Sequence, residues 1–234
     1  MIIGNEILTG KFEDENGPFF IRRLRMLGTD LRHLAVIADD LDTIADEVRR
    51  CSERFDLVFT TGGVGPTHDD VTLEGIARAF GRPLVVAEPL VDLMRAFDIA
   101  IDDTTLRMAR VPEGTELVES KASSYPVLRC ENVWIFPGVP KLMQMKFEAL
   151  AQRFAGEAVL TDRLYVTAHE TDIAARLSEV AARHTRVDIG SYPRFGEGDY
   201  RVIITLESRD PEALRAAVSE LSGTLPLRSA SKPV

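Results

Sequence analysis

Thirteen consecutive residues hold the densest chemistry in the chain: Thr60-Thr61-Gly62-Gly63-Val64-Gly65-Pro66-Thr67-His68-Asp69-Asp70-Val71-Thr72. Gly62, Gly63 and Gly65 leave a short apolar strand and run toward a helix start. Glycine lets backbone N–H groups approach a ligand with no Cβ in the way. A helix N-terminus adds unsatisfied donors and a positive dipole end, so the segment can bind an anion such as phosphate. A second reading makes it a structural turn in which Asp70 or Thr72 caps the helix.

Carboxylates recur at matching places. Glu6 follows the first strand, Asp39 and Asp40 the second, and Asp69 and Asp70 the third. In a parallel sheet these loops emerge at one edge, so three acidic positions can converge on one cleft. Carboxylates beside a phosphate repel it unless a cation bridges them, and Mg²⁺ binds through one or two carboxylates plus substrate phosphates. Ordinary helix capping by Asp40 and Asp70 explains the same residues. His68 fits a general acid, a phosphate donor or a surface histidine. His33, His169 and His184 form no metal-ligand spacing with it, which argues against zinc. The chain has no Gly-x-Ser-x-Gly elbow, P-loop or Gly-x-Gly-x-x-Gly fingerprint, so serine hydrolase, P-loop NTPase and dinucleotide dehydrogenase readings lose their support.

The elements that must position these residues follow from periodicity. Ile2-Ile3 predicts a strand tail, and Pro18 opens a helix carrying Phe19, Phe20, Leu24 and Leu27 that stops at Gly28. Residues 31–37 read as a strand, and Asp39-Asp40 cap a helix with Leu41, Ile44, Ala45, Val48 and Cys51 on one face. Residues 57–59 form a buried strand, and a helix over 73–80 closes at Gly81. This β-α alternation predicts a mainly parallel sheet covered on both faces, a three-layer α/β/α domain. Segments 88–97 and 104–109 look helical, and 133–136 is a strand. The helix after Pro140 should bury Leu142, Met145, Phe147, Leu150 and Phe154 as core packing. Beyond Gly156 the order changes to β (164–168), α (171–184), β (187–191), β (200–206) and α (211–221), with a hairpin through Gly196-Glu197-Gly198-Asp199. That predicts a small α+β domain over 157–234 after a first domain over 1–156.

The 234 residues have 45% hydrophobic and 28% charged side chains, a globular composition that excludes collagen-like and disordered classes. The net charge is −9; residues 157–234 carry 10 basic and 12 acidic side chains, so −7 of it belongs to residues 1–156. That balance disfavours nucleic acid and anionic membranes as partners. Cys51 and Cys130 lie outside any CxxC spacing and suit a reducing compartment. The N-terminus has no basic region followed by an apolar run, and no apolar stretch approaches the roughly 20 residues of a membrane span, so a cytoplasmic location is expected.

Gly4-Asn5-Glu6-Ile7-Leu8-x-Gly10, Asp14, Asn16, Asp39-Asp40, the run from Thr61 through Thr72, and Phe136-Pro137-Gly138-Val139-Pro140 together resemble the molybdenum-cofactor-biosynthesis (MoaB/Mog-like) domain. The nearest branches are the N-terminal domain of CinA proteins and the molybdopterin-binding-like domain of FAD synthases. The resemblance covers residues 1–156 and implies that the loops after the first and third strands bind a phosphorylated pterin or nucleotide. By position these are Gly4, Asn5 and Glu6, then Thr61, Gly62, Gly63, Val64, Gly65, Pro66, Thr67, His68 and Asp69, with Pro137 and Gly138. Asp39 and Asp70 match the family's catalytic aspartates, and Glu6, Asp39 and Asp70 become the candidate ligands of Mg²⁺ or another divalent metal.

CinA-like domains imply metal-dependent ADP-ribose pyrophosphatase activity, and the FAD synthase counterpart implies FAD hydrolysis. The alternatives are a non-catalytic molybdopterin-binding module and Mog-type AMP transfer to molybdopterin. A homodimer or trimer is the expected assembly. Three features depart from the family pattern. The chain starts within the expected first strand, so that strand is short or residues precede it. Residues 119–128 lack an Asn-Pro or Gly-rich loop. No room is left for the nicotinamide mononucleotide deamidase domain of full-length CinA proteins. Residues 157–234 resemble the KH-like intermediate CinA domain but lack its Gly-x-x-Gly loop, which argues against RNA binding.

Overall fold

The computed structural model describes residues 1–120, 123–196 and 198–228. The chain forms two compact units, Met1–Ala155 and Gly156–Val234.

In the first unit, β1 (Ile2–Ile3), β2 (Val36–Ile37), β3 (Val58–Thr61) and β8 (Val133–Phe136) run parallel, and β7 (Ser123–Cys130) and β6 (Glu116–Ser120) extend the sheet antiparallel. The strand order is β2-β1-β3-β8-β7-β6. Successive side chains point to opposite faces of a strand, and here they enter two different cores. Ile3, Val58, Val133 and Ile135 pack with α3 (Leu41–Arg54), α4 (Thr72–Ala79) and α5 (Glu88–Ala96). Ile2, Phe59, Trp134 and Phe136 pack on the other side with α2 (Asn16–Met26) and α6 (Pro140–Leu150). The sheet is therefore mainly parallel with helices on both faces, as the sequence predicts. Aromatic rings fill the second core; Phe59 and Phe154 meet edge to face at 4.9 Å.

Several local expectations need correction. The strand over 31–37 is only Val36–Ile37, because Leu31 and Leu34 point to solvent. Helix α2 begins at Asn16, before Pro18, because the Asp14 carboxylate accepts the N–H groups of Asn16 and Gly17. A one-turn helix, α1 (Asn5–Leu8), follows β1 directly. A two-stranded antiparallel pair, β4 (Leu84–Val86) and β5 (Arg110–Pro112), was not legible in the sequence; strands this short carry too few residues for periodicity to register. The segment 104–109 is a 3-10 turn over Thr105–Ala109. Phe147 and Leu150 of α6 and Phe154 beyond it are buried as expected, but Leu142 and Met145 are exposed and Met143 and Lys146 are buried instead.

The second unit is a three-stranded antiparallel sheet in the order β10 (Asp188–Pro193), β11 (Val202–Ser208), β9 (Leu160–Val166). Helices α7 (Glu170–Arg183) and α8 (Pro211–Ser222) share one core with it, built on Val166, Val180, Ile204, Leu206 and Leu221. Asp210 caps α8 by accepting the N–H groups of Glu212 and Ala213. Strands β10 and β11 pair as the predicted hairpin; Glu197, in its connection, lies outside the described residues. Among the described residues no helix is long and apolar enough to cross a membrane. Cys51 and Cys130 are both free and buried.

Candidate functional site

The carboxyl ends of β1, β3 and β8 open onto a cavity of about 860 Å³. Its wall includes Glu6, Thr61, Gly62, Gly63, Val64 and Gly65, with Asp70, Pro137 and Gly138 beside them.

Gly62 and Gly63 need glycine for two reasons each. Their φ angles are +102° and +62°, in the left-handed region. A Cβ on Gly62 would collide with the carbonyl oxygen of Ile3, and one on Gly63 with the Thr72 hydroxyl. The loop is fixed by Gly62 N–H donating to the Phe136 carbonyl and by the Thr72 hydroxyl donating to the Gly62 carbonyl. Thr72 thus anchors the start of α4 without capping it; Val71 stands at the cap position. The N–H groups of Gly63, Val64 and Gly65 make no hydrogen bond among the described residues, and all three residues line the cavity. Successive free N–H groups in such a turn form a concavity that suits an anion.

The carboxylates occupy distinct positions. Asp70 is turned back on its own loop, where Oδ2 accepts from Thr67 N–H at 2.8 Å and from the Thr67 hydroxyl. Asp39 Oδ2 accepts from Asn5 N–H at 2.7 Å, which ties the second loop to the first. Burial pushes the Asp39 carboxyl above the usual range, and the negative charges of Glu6, Asp69 and Asp70 add to that rise, against the Asn5 hydrogen bond. Glu6 lines the cavity. Asp40 is an N-cap, its Oδ1 accepting from Thr43 N–H at 2.8 Å. His68 has a side chain 96% exposed and lies 3.9 Å from Asp69, apart from the cavity wall.

Glu6, Asp39 and Asp70 surround one loop without bringing a carboxylate oxygen each within 4.8 Å of the others. Among the described residues, His33, Glu47 and Cys51 are the set that does. The three aspartate and glutamate side chains are hard oxygen donors, and their charges add to the burial that raises Asp39. They therefore fit a Mg²⁺-type ion that keeps waters and takes ligand phosphates, and they do not fit a closed protein cage.

Three residues with no place in the sequence-based site reading belong to this neighbourhood. Asn16, 5% exposed, donates through Nδ2 to the Thr61 hydroxyl at 3.0 Å and to the Gly138 carbonyl at 2.8 Å, while its Oδ1 is buried without a partner. Lys146, 3% exposed, reaches the cavity from α6. Arg107 donates to the Asp70 carbonyl at 3.4 Å. A lysine inside the apolar spacing Met143, Phe147, Leu150 was the available signal for the second.

Residues 1–156 match the family described as a probable molybdopterin binding domain. The chain belongs to the molybdopterin-binding domain family. Residues 158–233 match a second family, described as the FAD synthase middle domain. A protein of Archaeoglobus fulgidus is 35% identical over 95% of this chain and 95% of its own length. A probable FAD synthase of Caenorhabditis briggsae is 32% identical over 94% of this chain, which spans only 48% of that relative. Among solved structures, the protein CinA from Thermoplasma acidophilum is 34% identical with a TM-score of 0.60, covering 66% of this chain and 96% of its own. The two family matches in tandem account for the two units.

Proposed function

We propose that the cavity binds a phosphorylated nucleotide or pterin and that the chain hydrolyses a nucleotide diphosphate of the ADP-ribose or FAD type with a divalent cation. The observation that carries this reading is the meeting of three unbonded N–H groups, at Gly63, Val64 and Gly65, with the carboxylates of Glu6 and Asp70 around one cavity, and with Asp39 close to Gly63 at the same loop. Relatives described as FAD synthases support a nucleotide as the ligand. Thr61, Pro66, Thr67, His68, Asp69, Pro137 and Gly138 frame the loop, and Gly4 and Asn5 complete its first-strand side.

In this reading the glycine-loop N–H groups hold the diphosphate oxygens. Glu6, Asp39 and Asp70 would hold a divalent cation, which when bound offsets phosphate charge and lowers the pKa of a water. Asp39, whose carboxyl pKa burial raises, would take the water's proton through the oxygen that Asn5 leaves free. The attacking water gives its proton to Asp39 as its oxygen bonds to phosphorus, and the P–O bond to the bridging oxygen breaks to leave two monophosphates.

One observation favours binding without turnover: Asp70 already spends one oxygen on Thr67. Incubation with ADP-ribose or FAD and Mg²⁺ or Co²⁺, followed by AMP detection, separates the two readings. We expect AMP release that falls about 100-fold or more in Asp70→Asn, the usual scale for general acid–base and metal-positioning groups. No AMP from either compound would defeat hydrolysis, and a wild-type rate in Asp70→Asn would defeat the role given to Asp70. Saturable binding of a pterin phosphate without turnover would then support the binding module. The proposal extends to a cytoplasmic homodimer or trimer, which sedimentation tests directly.

A further inference from the structure

We propose that Lys146 is the counter-ion of the bound ligand, its ammonium group holding a phosphoryl oxygen of a nucleotide diphosphate at the β7–α6 wall of the cavity. The inference rests on the reading of this cavity as a phosphate-ligand site and names a residue that the reading does not need.

Lys146 sits on the buried face of α6 beside Met143, Phe147 and Leu150, a position where an apolar side chain would pack as well. Its ammonium donates to the carbonyls of Tyr125 and Pro126, the second at 3.2 Å, and lies 5.5 Å from the centre of the Tyr125 ring. Those bonds use two of its three N–H groups. Among the described residues no carboxylate pairs with it. A buried ammonium without a counter-charge is costly, because neighbouring dipoles recover only part of the lost hydration. That cost is visible in the Lys146 amine, which burial pulls down to about 8.

The electrostatics of the cavity give the charge a use. Among the described residues lining it, Glu6, Glu13, Asp14, Glu15 and Asp70 are acidic and Lys146 is the one basic side chain. A ligand phosphate is repelled by those carboxylates and attracted at the glycine-loop N–H groups and, among the side chains, at Lys146. On the same wall, the unpartnered Oδ1 of Asn16 offers an acceptor to a ligand N–H or O–H group. The two together select a ligand with an anionic group and a hydrogen-bond donor, which a nucleotide diphosphate supplies and a simple anion does not.

Calorimetric titration of the full chain with ADP-ribose and with inorganic pyrophosphate, in Mg²⁺, tests this. Lys146→Gln keeps a donor for the β7 carbonyls and removes the charge. It should weaken both ligands at least tenfold and flatten the salt dependence of binding, while the thermal midpoint stays within a few degrees of wild type. Wild-type affinity in a folded Lys146→Gln would overturn the proposal and leave the phosphate-site reading standing. If wild type binds neither probe, the phosphate-site reading and this proposal both fall. Should the variant not fold, ¹³C labelling of lysine in the wild-type chain decides: ADP-ribose should shift the Lys146 Cε resonance, and an unmoved resonance at saturation would overturn the assignment.

Discussion

Asp39 carries the tension of the site in one side chain. It is bound by Asn5 N–H yet raised by burial and by Glu6, Asp69 and Asp70, so the folded protein holds it ionised at a cost. The cost is present above its raised pKa and relieved as pH falls. Asparagine keeps an acceptor for Asn5 and removes the charge. Asp39→Asn should therefore raise the thermal midpoint of the metal-free protein at neutral pH, by up to about 3 °C, while lowering hydrolysis. Scanning calorimetry in chelator checks this, and a midpoint below wild type would contradict it. Stability traded against activity is the usual mark of a functional carboxylate. At this scale the sequence was partly legible: Asp39 and Asp70 stood out by type and spacing, because loops after parallel strands share an edge. Asn16 entered only as part of the family pattern, without a role, and Lys146 not at all, because a buried amide and a buried ammonium look like surface residues until their neighbours are known.

Elements position these groups through close contacts that no periodicity records. Helices α3 and α4 approach at Gly75, where an added Cβ would meet Ile44 Cβ at 2.8 Å. Ile44 is fully buried, so it has no room to move aside. Alanine is the better helix former by about 1 kcal/mol, but overpacking a filled core costs about 1–3 kcal/mol. Gly75→Ala should thus destabilise the first unit by about 1–2 kcal/mol in urea unfolding, and Ile44→Ala should recover part of that in the double variant. A Gly75→Ala chain as stable as wild type would show that α4 shifts freely. Because α4 starts at the end of the glycine loop, the same displacement should weaken ligand binding. The exchange of Leu142 and Met145 for Met143 on α6 has the same origin. Its apolar residues cover more than one stripe, so periodicity alone could not choose among them; Phe147, expected inside, packs against the Phe59 and Phe154 rings, and Met143 joins the same core.

Across the whole molecule, the two units have separate cores. In the second, Glu220 on α8 meets His184 Nε2 at 2.8 Å and accepts from Arg176 at 3.1 Å and from Arg183. These bonds, His184 first and Arg183 next, hold its carboxyl at about 2. Stability from this network is complete above the ordinary carboxylate pKa of about 4.3 and is lost as pH falls toward 2. Thermal unfolding followed over pH 5 to 2 should show the second unit losing a few degrees, a dependence that Glu220→Gln removes. An unchanged pH profile in that variant would place the stabilisation elsewhere. The first unit, on the proposed reading of its cavity, should instead gain stability on adding Mg²⁺ with a nucleotide, since only the folded state would bind them.

The sequence by itself determined the layer architecture, the division into two kinds of topology and the loop that carries the chemistry. Each depends on local signals: strand-helix alternation, a change in that alternation near Gly156, and glycines that no other residue can replace at positive φ. Tertiary structure alone decided which face of α6 is buried, that β4 pairs with β5, that Asp70 turns back on Thr67, and that Lys146 and Asn16 share one cavity with the glycine loop. Those outcomes depend on residues far apart in the chain, whose contacts are set by how the sheet and its two helical layers fill space together.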